Sequence, residues 1–445
     1  MSEDPHDRAF FEQMRGCRDN YRKLADCIHQ IIGEQPSCLD VGCGIGLQTA
    51  RLMELGWRWV IGAEHSKLAR QMREPGVTMI HSDLTKIPRG ARKYGCVICT
   101  ETAEHIPAEF ADNITANIVS HAADVIVWSA AAPGQEWEGH INLQPPSYWL
   151  ERFAGLGWVM DVARTGALRD LMRQTHAQHW MASENFCILV PTIRYRPLHF
   201  SITSTTLNAE RYVARCIESV QRQTYPHWDH FVVDAKSNDF TVRKARAQAK
   251  LTRVPASHTL VSVNKKRQAA LENCWEIWSA LPPDEVIVWL DGDDWLATDS
   301  ALDILARTYA SPAEPWLTYG QFMMATGEVG FASPYAPGEN PRRTHWRATH
   351  LKTFRAGLVQ KTNRRLLLKP DNETWCDLAI DKAVMYPLLD MAGDRHAFIS
   401  QILYVYNAKA SWWACQSEHE RQKELNEVYR MQSLPTLARL PERPW

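Results

Sequence analysis

The stretch Asp284-Glu285-Val286-Ile287-Val288-Trp289-Leu290-Asp291-Gly292-Asp293-Asp294-Trp295-Leu296 decides how the rest of the chain is read. Val286 to Leu290 is an unbroken apolar run rich in β-branched residues, which predicts a strand buried on both faces. That strand delivers Asp291, Asp293 and Asp294 to its carboxyl end, where an open α/β sheet binds ligands. Carboxylates this close repel, and a hard divalent cation taking oxygen ligands would neutralise them, with Gly292 letting the backbone turn tightly. A cation held here would clamp a diphosphate. The competing reading is a plain turn ahead of a helix, since Asp299 and Ser300 precede Ala301 to Leu305. The buried strand in front of the acids and Trp295 behind them favour the metal.

Working outward, the chain has 445 residues, enough for two domains that each bury a core. Its 50 lysines and arginines cancel 51 aspartates and glutamates, so no global field draws it to nucleic acid or a membrane surface. No basic segment followed by an apolar one opens the chain, and no apolar run is long enough for a membrane span, so a soluble, cytoplasmic protein is expected. Eleven cysteines in that setting predict reduced thiols. Cys96 and Cys99 stand three apart in a predicted strand, so they face opposite sides and cannot share a zinc ion. Core filling accounts for most of the 18 tryptophans. Trp57 with Trp59, Trp412 with Trp413, and the Trp275/Trp278 pair could stack on sugar rings.

Val288-Trp289-Leu290-Asp291-Gly292-Asp293-Asp294-Trp295-Leu296 resembles the metal-binding Asp-x-Asp segment of family-2 glycosyltransferases with the GT-A fold. The resemblance implies Asp291 and Asp293 as ligands of Mn2+ or Mg2+, with Asp291 also beside a nucleotide-sugar donor. Thr205, Asn208 and Glu210 fall at the family's first loop, and Asp234 matches the acid that meets the nucleotide base. The family usually adds a second acid and a glycine there, and this chain has Ala235 and Lys236 instead. The basic residues Lys236, Arg243, Lys244, Arg246, Lys265, Lys266 and Arg267 either hold a diphosphate or an acidic acceptor, or form a solvated helix face. Further on, Asp377 and Asp381 are four apart, so on a helix both carboxylates share one face. An inverting transfer needs a base on the side away from the leaving diphosphate. Asp381-Lys382-Ala383-Val384-Met385-Tyr386-Pro387 resembles the family segment holding that base, so Asp381 is preferred to Asp377; a surface charge on a helix is the alternative. Tyr404-Val405-Tyr406-Asn407 looks like the end of the family's catalytic domain.

The first half opens with apolar periodicity from Phe10 to Ile32, fitting one or two amphipathic helices that serve packing. Cys38-Leu39-Asp40-Val41-Gly42-Cys43-Gly44-Ile45-Gly46 then reads as a strand and glycine-rich turn, followed by a helix over Leu47 to Leu55. Such a turn brings a nucleotide-like ligand onto bare backbone at a helix N-terminus. The strand Trp59 to Ala63 ends on Glu64, an acid placed to take ribose hydroxyls. Val77 to Ile80 leads to Asp83, Cys96 to Cys99 opens onto Glu101-Thr102-Ala103-Glu104-His105, and Val125 to Ser129 leads into a loop carrying His140 and Asn142. These features resemble the class I S-adenosylmethionine-dependent methyltransferases over residues 36 to 190. The resemblance implies a seven-stranded sheet and a cofactor site built from Asp40, Gly42, Gly44, Gly46, Glu64, Asp83 and Glu101. For a hydroxyl acceptor, His140 or His105 would remove the proton; a helix cap at Asp83 and a buried structural imidazole at His105 are the alternatives.

Pro191 to Pro197 is the expected joint. The expected architecture is α/β in two domains: a Rossmann-like methyltransferase sheet over 1–192 and a GT-A sheet over 198–410, with a helical tail over 411–445. The expected function is bifunctional: S-adenosylmethionine-dependent methyl transfer plus metal-dependent inverting glycosyl transfer, together making a methylated glycan from a glycan or other hydroxyl acceptor. Two alternatives stand beside it. The sugar goes to modified nucleic acid, against which the neutral charge argues, or to a virion protein; or one domain has become a binding module.

Overall fold

The computed structural model describes residues 7–86, 92–137, 139–177, 183–194, 197–251, 258–311, 313–407 and 417–441. The polypeptide forms two units that divide between Pro197 and Leu198. Trp412 and Trp413 lie outside the described residues.

The first unit is built on β1 (Cys38–Val41), β2 (Val60–Glu64), β3 (Met79–His81), β4 (Tyr94–Cys99), β5 (Ala122–Trp128), β6 (Trp158–Met160) and β7 (Cys187–Pro191). They form one seven-stranded sheet in the order β3-β2-β1-β4-β5-β7-β6. All neighbours are parallel except at β7, which runs antiparallel to both β5 and β6. The order reverses between β1 and β4, and that switch point is where such a sheet opens a crevice. Strand alternation explains two cores: Val97, Cys99, Ile126 and Trp128 pack on one face, Cys96, Ile98, Val125 and Val127 on the other. Cys96 and Cys99 therefore do point apart, and both are free thiols in the core. Two helices, Arg8–Gly16 and Arg18–Ile32, precede β1. The first packs Phe11, with Phe10 and Met14 beside it, onto Ile45, Leu47 and Met72 around the glycine turn. Arg18 fixes that cover through a bidentate pair with the buried Glu74, at 2.6 and 3.0 Å.

The second unit carries β8 (Phe200–Thr206), β9 (Trp228–Asp234), β10 (His258–Val263), β11 (Val286–Trp289), β12 (Trp295–Leu296), β13 (Leu317–Met324), β14 (Lys352–Arg355) and β15 (His396–Tyr406). The eight strands lie in the order β10-β9-β8-β11-β14-β13-β15-β12. β10, β9, β8 and β11 are parallel, as in a nucleotide-binding half, and β14 joins β11 antiparallel. Every residue of β11 is buried, as its unbroken apolar run requires. The large core packs β11 and β13 residues against Trp278, Phe354 and the helix Ile380–Ala392. Trp57 and Trp278 are core residues, whereas Trp59 is largely exposed. Among the described residues no helix is long and apolar enough to cross a membrane.

Candidate functional sites

Each unit gathers acids at the carboxyl ends of its central strands. In the first, Gly42, Gly44 and Gly46 have φ of 71°, 54° and 80°, values that favour glycine. At Gly42 a side chain is excluded twice over, since a Cβ would sit 2.2 Å from the Thr102 hydroxyl oxygen. At the end of β2, Glu64 accepts the N–H of Gly44 at 2.9 Å and that of Ser66 at 2.8 Å. Acid and glycine turn are thus in direct contact, and each carboxylate oxygen retains a lone pair for a ligand hydroxyl. Asp40 is buried and accepts the Thr49 hydroxyl at 2.6 Å. Burial pushes its carboxyl up to about 7. Burial does the same to Glu101, at about 7, against the opposing Ser129 hydroxyl that donates to it at 2.7 Å. Glu101 also adopts φ 50°, so the segment after β4 is tightly held.

Asp83 stands differently. Its Oδ1 accepts the N–H and hydroxyl of Thr85, and Lys86 pairs with it at 2.9 Å. Partial burial opposes its charge, but the Thr85 hydroxyl and Lys86 bring its carboxyl down to about 2. His105 and His140 are brought together, with ring centroids 5.0 Å apart. Trp137 and Ile141, both well exposed, flank His140.

In the second unit the three acids after β11 separate into two roles. Asp294 is 1% exposed and is spent on the fold: the Tyr404 hydroxyl donates to it at 2.5 Å and the Asn407 N–H at 2.7 Å. Asp291 and Asp293 are half-buried. The Tyr404 hydroxyl reaches Asp291 only at 3.4 Å. Burial, then repulsion from Asp291, pushes the Asp293 carboxyl up to about 6. Burial also raises Asp291, opposed by the Lys352 ammonium and reinforced by the negative charge of Asp381. A divalent cation would relieve that repulsion, so the donor set fits Mn2+ or Mg2+ held by Asp291 and Asp293. Gly292 does not take a positive φ. It is small because a Cβ there would meet Thr206 Cγ2 at 2.3 Å and the Thr205 carbonyl oxygen at 2.6 Å, where β8 ends against the acids.

Two more groups stand here, in the segment His350 to Arg355 that the sequence reads as bringing polar groups inward but to which it gives no role at the site. Lys352, on β14, is 2% exposed, 4.5 Å from the Trp289 ring centroid and 3.2 Å from His350 Nδ1. His350 stacks on Tyr404 with centroids 4.5 Å apart. A lysine inside the apolar pattern of Leu351 to Phe354 was the available signal.

Asp381 sits in the first turn of the helix Ile380–Ala392. Asp377 does not share that helix face: it precedes the helix, is exposed, and pairs with Lys369 at 2.8 Å. The helix starts late because Ala379, with φ 47°, breaks the backbone before it. Thr205 stands one residue before the end of β8, and Asn208 and Glu210 are bonded to the loop after β9. Asn208 Oδ1 accepts the Asn238 N–H at 3.1 Å, and Glu210 accepts the Phe240 N–H at 3.0 Å. Asp234 is buried, and its two oxygens accept from Thr206, the N–H groups of Lys236 and Ser237, and the Ser237 hydroxyl. Lys236 holds φ 74°, which explains why a glycine would suit that position.

Two α/β sheets with acid-lined carboxyl ends, one at a glycine turn and one at an Asp-x-Asp, define a two-domain transferase. The Glycosyl transferase family 2 model matches residues 201–354 and the Methyltransferase domain model matches residues 39–118. The chain is an enzyme carrying a methyltransferase domain followed by a glycosyl transferase family 2 domain. No curated protein matches it. Among solved structures, S. aureus TarS 1-349 is similar at 15% identity and TM-score 0.38, over 53% of this chain and 64% of that one. The mannosyltransferase PcManGT from Pyrobaculum calidifontis, in complex with GDP-Man and Mn2+, is similar at 17% identity and TM-score 0.37, over 53% and 64%. The magnesium protoporphyrin IX methyltransferase ChlM from Synechocystis PCC 6803, with bound SAM, is similar at 18% identity and TM-score 0.28, over 35% and 76%. The chain spans slightly less than two thirds of the first of these. A methyltransferase fold implies S-adenosylmethionine, and the glycine turn with Glu64 against it fits that cofactor.

Proposed function

We propose that the chain couples two transfers: a methyl group from S-adenosylmethionine and a sugar from a nucleotide-sugar donor, the second with inversion, to build a methylated glycan. The methyltransferase domain is taken as 1–192, the GT-A domain as 198–410, and 411–445 as a tail. The observation that carries the glycosyl half is Asp291 at the end of β11, whose charge feels the buried Lys352 ammonium and Asp381, with Asp293 beside it.

In this reading Asp291 and Asp293 would hold a divalent cation, whose charge would offset that of the leaving diphosphate. Thr205, Asn208, Glu210 and Asp234 line the donor side. Lys352 holds a compensating positive charge close to the acids. Asp381 receives the proton of the attacking hydroxyl. Asp377, exposed and paired with Lys369, is the weaker candidate for that step. In the first unit Asp40, Gly42, Gly44, Gly46 and Glu64 hold the cofactor, Glu101 supports them from the end of β4, and Asp83 lies toward the adenine. His105 and His140 lie on the acceptor side, and alignment of donor with acceptor supplies most of the rate.

The test is mass analysis of products from a panel of nucleotide sugars and hydroxyl acceptors, with S-adenosylmethionine and Mn2+ or Mg2+. Wild type should add the mass of a sugar residue that Asp291→Asn and Asp381→Asn abolish, and a methyl mass that Gly44→Val abolishes. A second reading, the donor half as a binding module, draws on Asp234, whose oxygens are engaged by Thr206 at the end of β8 and by its own turn. Nucleotide binding without sugar transfer from any donor would select it.

A further inference from the structure

The loop that carries His140 is strapped to the turn that carries Glu104 and His105. The N–H groups of Ile141 and Asn142 both donate to the Glu104 carbonyl, at 2.8 and 3.0 Å. The buried Asn142 side chain adds a 3.4 Å bond to the Ala103 carbonyl. This strap brings one ligand atom each from Glu104, His105 and His140 to within 4.8 Å of one another.

Glu104 is 0% exposed, and neither carboxylate oxygen makes a hydrogen bond of normal geometry, although the backbone of Ala131 lies close enough to favour its charge. A carboxylate buried in that way is costly unless something coordinates it. The two imidazoles are already oriented. His105 Nδ1 lies 3.1 Å from the Gly139 carbonyl and His140 Nδ1 lies 2.7 Å from the Gln135 carbonyl. A ring nitrogen facing a carbonyl carries the hydrogen, which puts the lone pair on Nε2; metal-ligating histidines are held by the same kind of tether.

We propose that Glu104, His105 and His140 hold a first-row divalent cation, with Zn2+ the best match, beyond the carboxyl ends of β4 and β5. One carboxylate and two imidazoles with coordination positions left open is the donor set of a catalytic zinc site, whereas Mg2+ prefers oxygen ligands. Cation binding stands independently of any activity. Its consequence rests on the methyltransferase reading: an acceptor hydroxyl entering an open position would lose its proton to water more easily, so the two histidines would act as ligands rather than as bases.

The experiment uses the full chain carrying Asp291→Asn and Asp293→Asn, which silences the other candidate cation site, stripped with chelator and titrated with Zn2+ against a chromophoric competitor. One equivalent should bind and should raise the melting temperature of the first unit. Adding Glu104→Gln or His140→Ala should weaken binding at least about tenfold and remove the thermal shift. Glu104→Gln discards a buried charge and should still fold; the half-buried His140 gives an independent second variant. S-adenosylmethionine affinity, read by calorimetry, should be the same in all these proteins. Zn2+ binding as tight in both added variants as in their parent would overturn the site, whereas loss of cofactor affinity in the parent would strike only the methyltransferase reading.

Discussion

The three acids after β11 look alike in sequence, and the structure predicts that they fail in opposite ways. Asp294→Ala removes the acceptor of two hydrogen bonds, from Tyr404 and Asn407, in a fully buried position. Hydrogen bonds to a charged acceptor contribute about 1.5 to 3 kcal/mol each. Burial first, and then Asp291 and Asp293, raise the Asp294 carboxyl well above its ordinary range, so the lower figure applies to each. The expected loss is ~3 kcal/mol for the pair, which in a domain of this size lowers the melting temperature by about 6 to 12 °C. Asp291→Asn and Asp293→Asn instead remove repulsion between crowded carboxylates, so the apo protein should melt at or slightly above the wild-type temperature.

Scanning calorimetry with and without Mn2+ separates the two behaviours, provided the transition of the second unit is resolved from that of the first. At a hundredfold excess over its dissociation constant, a cation adds about 2.7 kcal/mol to the unit that binds it. Wild type should show that gain as a shift of about 5 to 11 °C, and Asp291→Asn and Asp293→Asn should show none. Asp294→Ala should start low yet keep a measurable shift. An Asp294→Ala protein as stable as wild type, or a full Mn2+ shift in Asp291→Asn, would refute this division of labour.

Three further outcomes follow from single positions. Gly42→Ala should weaken S-adenosylmethionine binding at least tenfold by calorimetry, and adding Thr102→Gly should restore part of it; equal losses in single and double variants would exclude the overlap with Thr102 as the cause. Lys236→Gly should raise the stability of the second unit by roughly 1 kcal/mol in urea unfolding, because it releases a side chain from φ 74°. His230, buried against the Ser204 hydroxyl at 2.9 Å, is pushed down by burial to about 3 from an ordinary value near 6.5. The unfolded chain takes up that proton first as pH falls, so this contribution is complete above pH 6.5 and declines below it by about 1.4 kcal/mol per pH unit. Unfolding free energies from urea titrations at pH 7 and pH 5 should therefore differ by about 2 kcal/mol more in wild type than in His230→Gln.

What the sequence made legible was local. A glycine turn after a short apolar strand, an acid ending the next strand, and an unbroken β-branched run before Asp291 each encode their geometry within a few residues, and β1, β2 and β11 form accordingly. The misjudgements came where the deciding partner is distant. Asp294, which the Asp-x-Asp spacing left without a role, gains a structural one from Tyr404, 110 positions away. Asp377 seemed to share a helix face with Asp381 until the left-handed Ala379 placed the helix start between them. Gly292 does lie in a turn, but the end of β8 rather than a positive φ is what requires its missing Cβ.

The same contrast explains why two acid-lined strand ends in one chain suit different ligands. Glu64 is met by the N–H groups of Gly44 and Ser66, so its charge is balanced by backbone dipoles and its remaining lone pairs suit neutral hydroxyls such as those of a ribose. Among the described residues Asp291 and Asp293 meet no such backbone donors from elsewhere: Asp291 has a tyrosine hydroxyl at 3.4 Å, and Asp293 draws on its own backbone. Lys352 supplies one positive charge nearby, but Asp291, Asp293 and Asp381 together carry three negative ones when ionised. The deficit leaves room for a divalent cation in the second unit and none beside Glu64. Lys352→Met would deepen the deficit, so it should tighten Mn2+ binding while lowering the stability of the metal-free protein; weaker Mn2+ binding with unchanged apo stability would show that Lys352 balances some other charge.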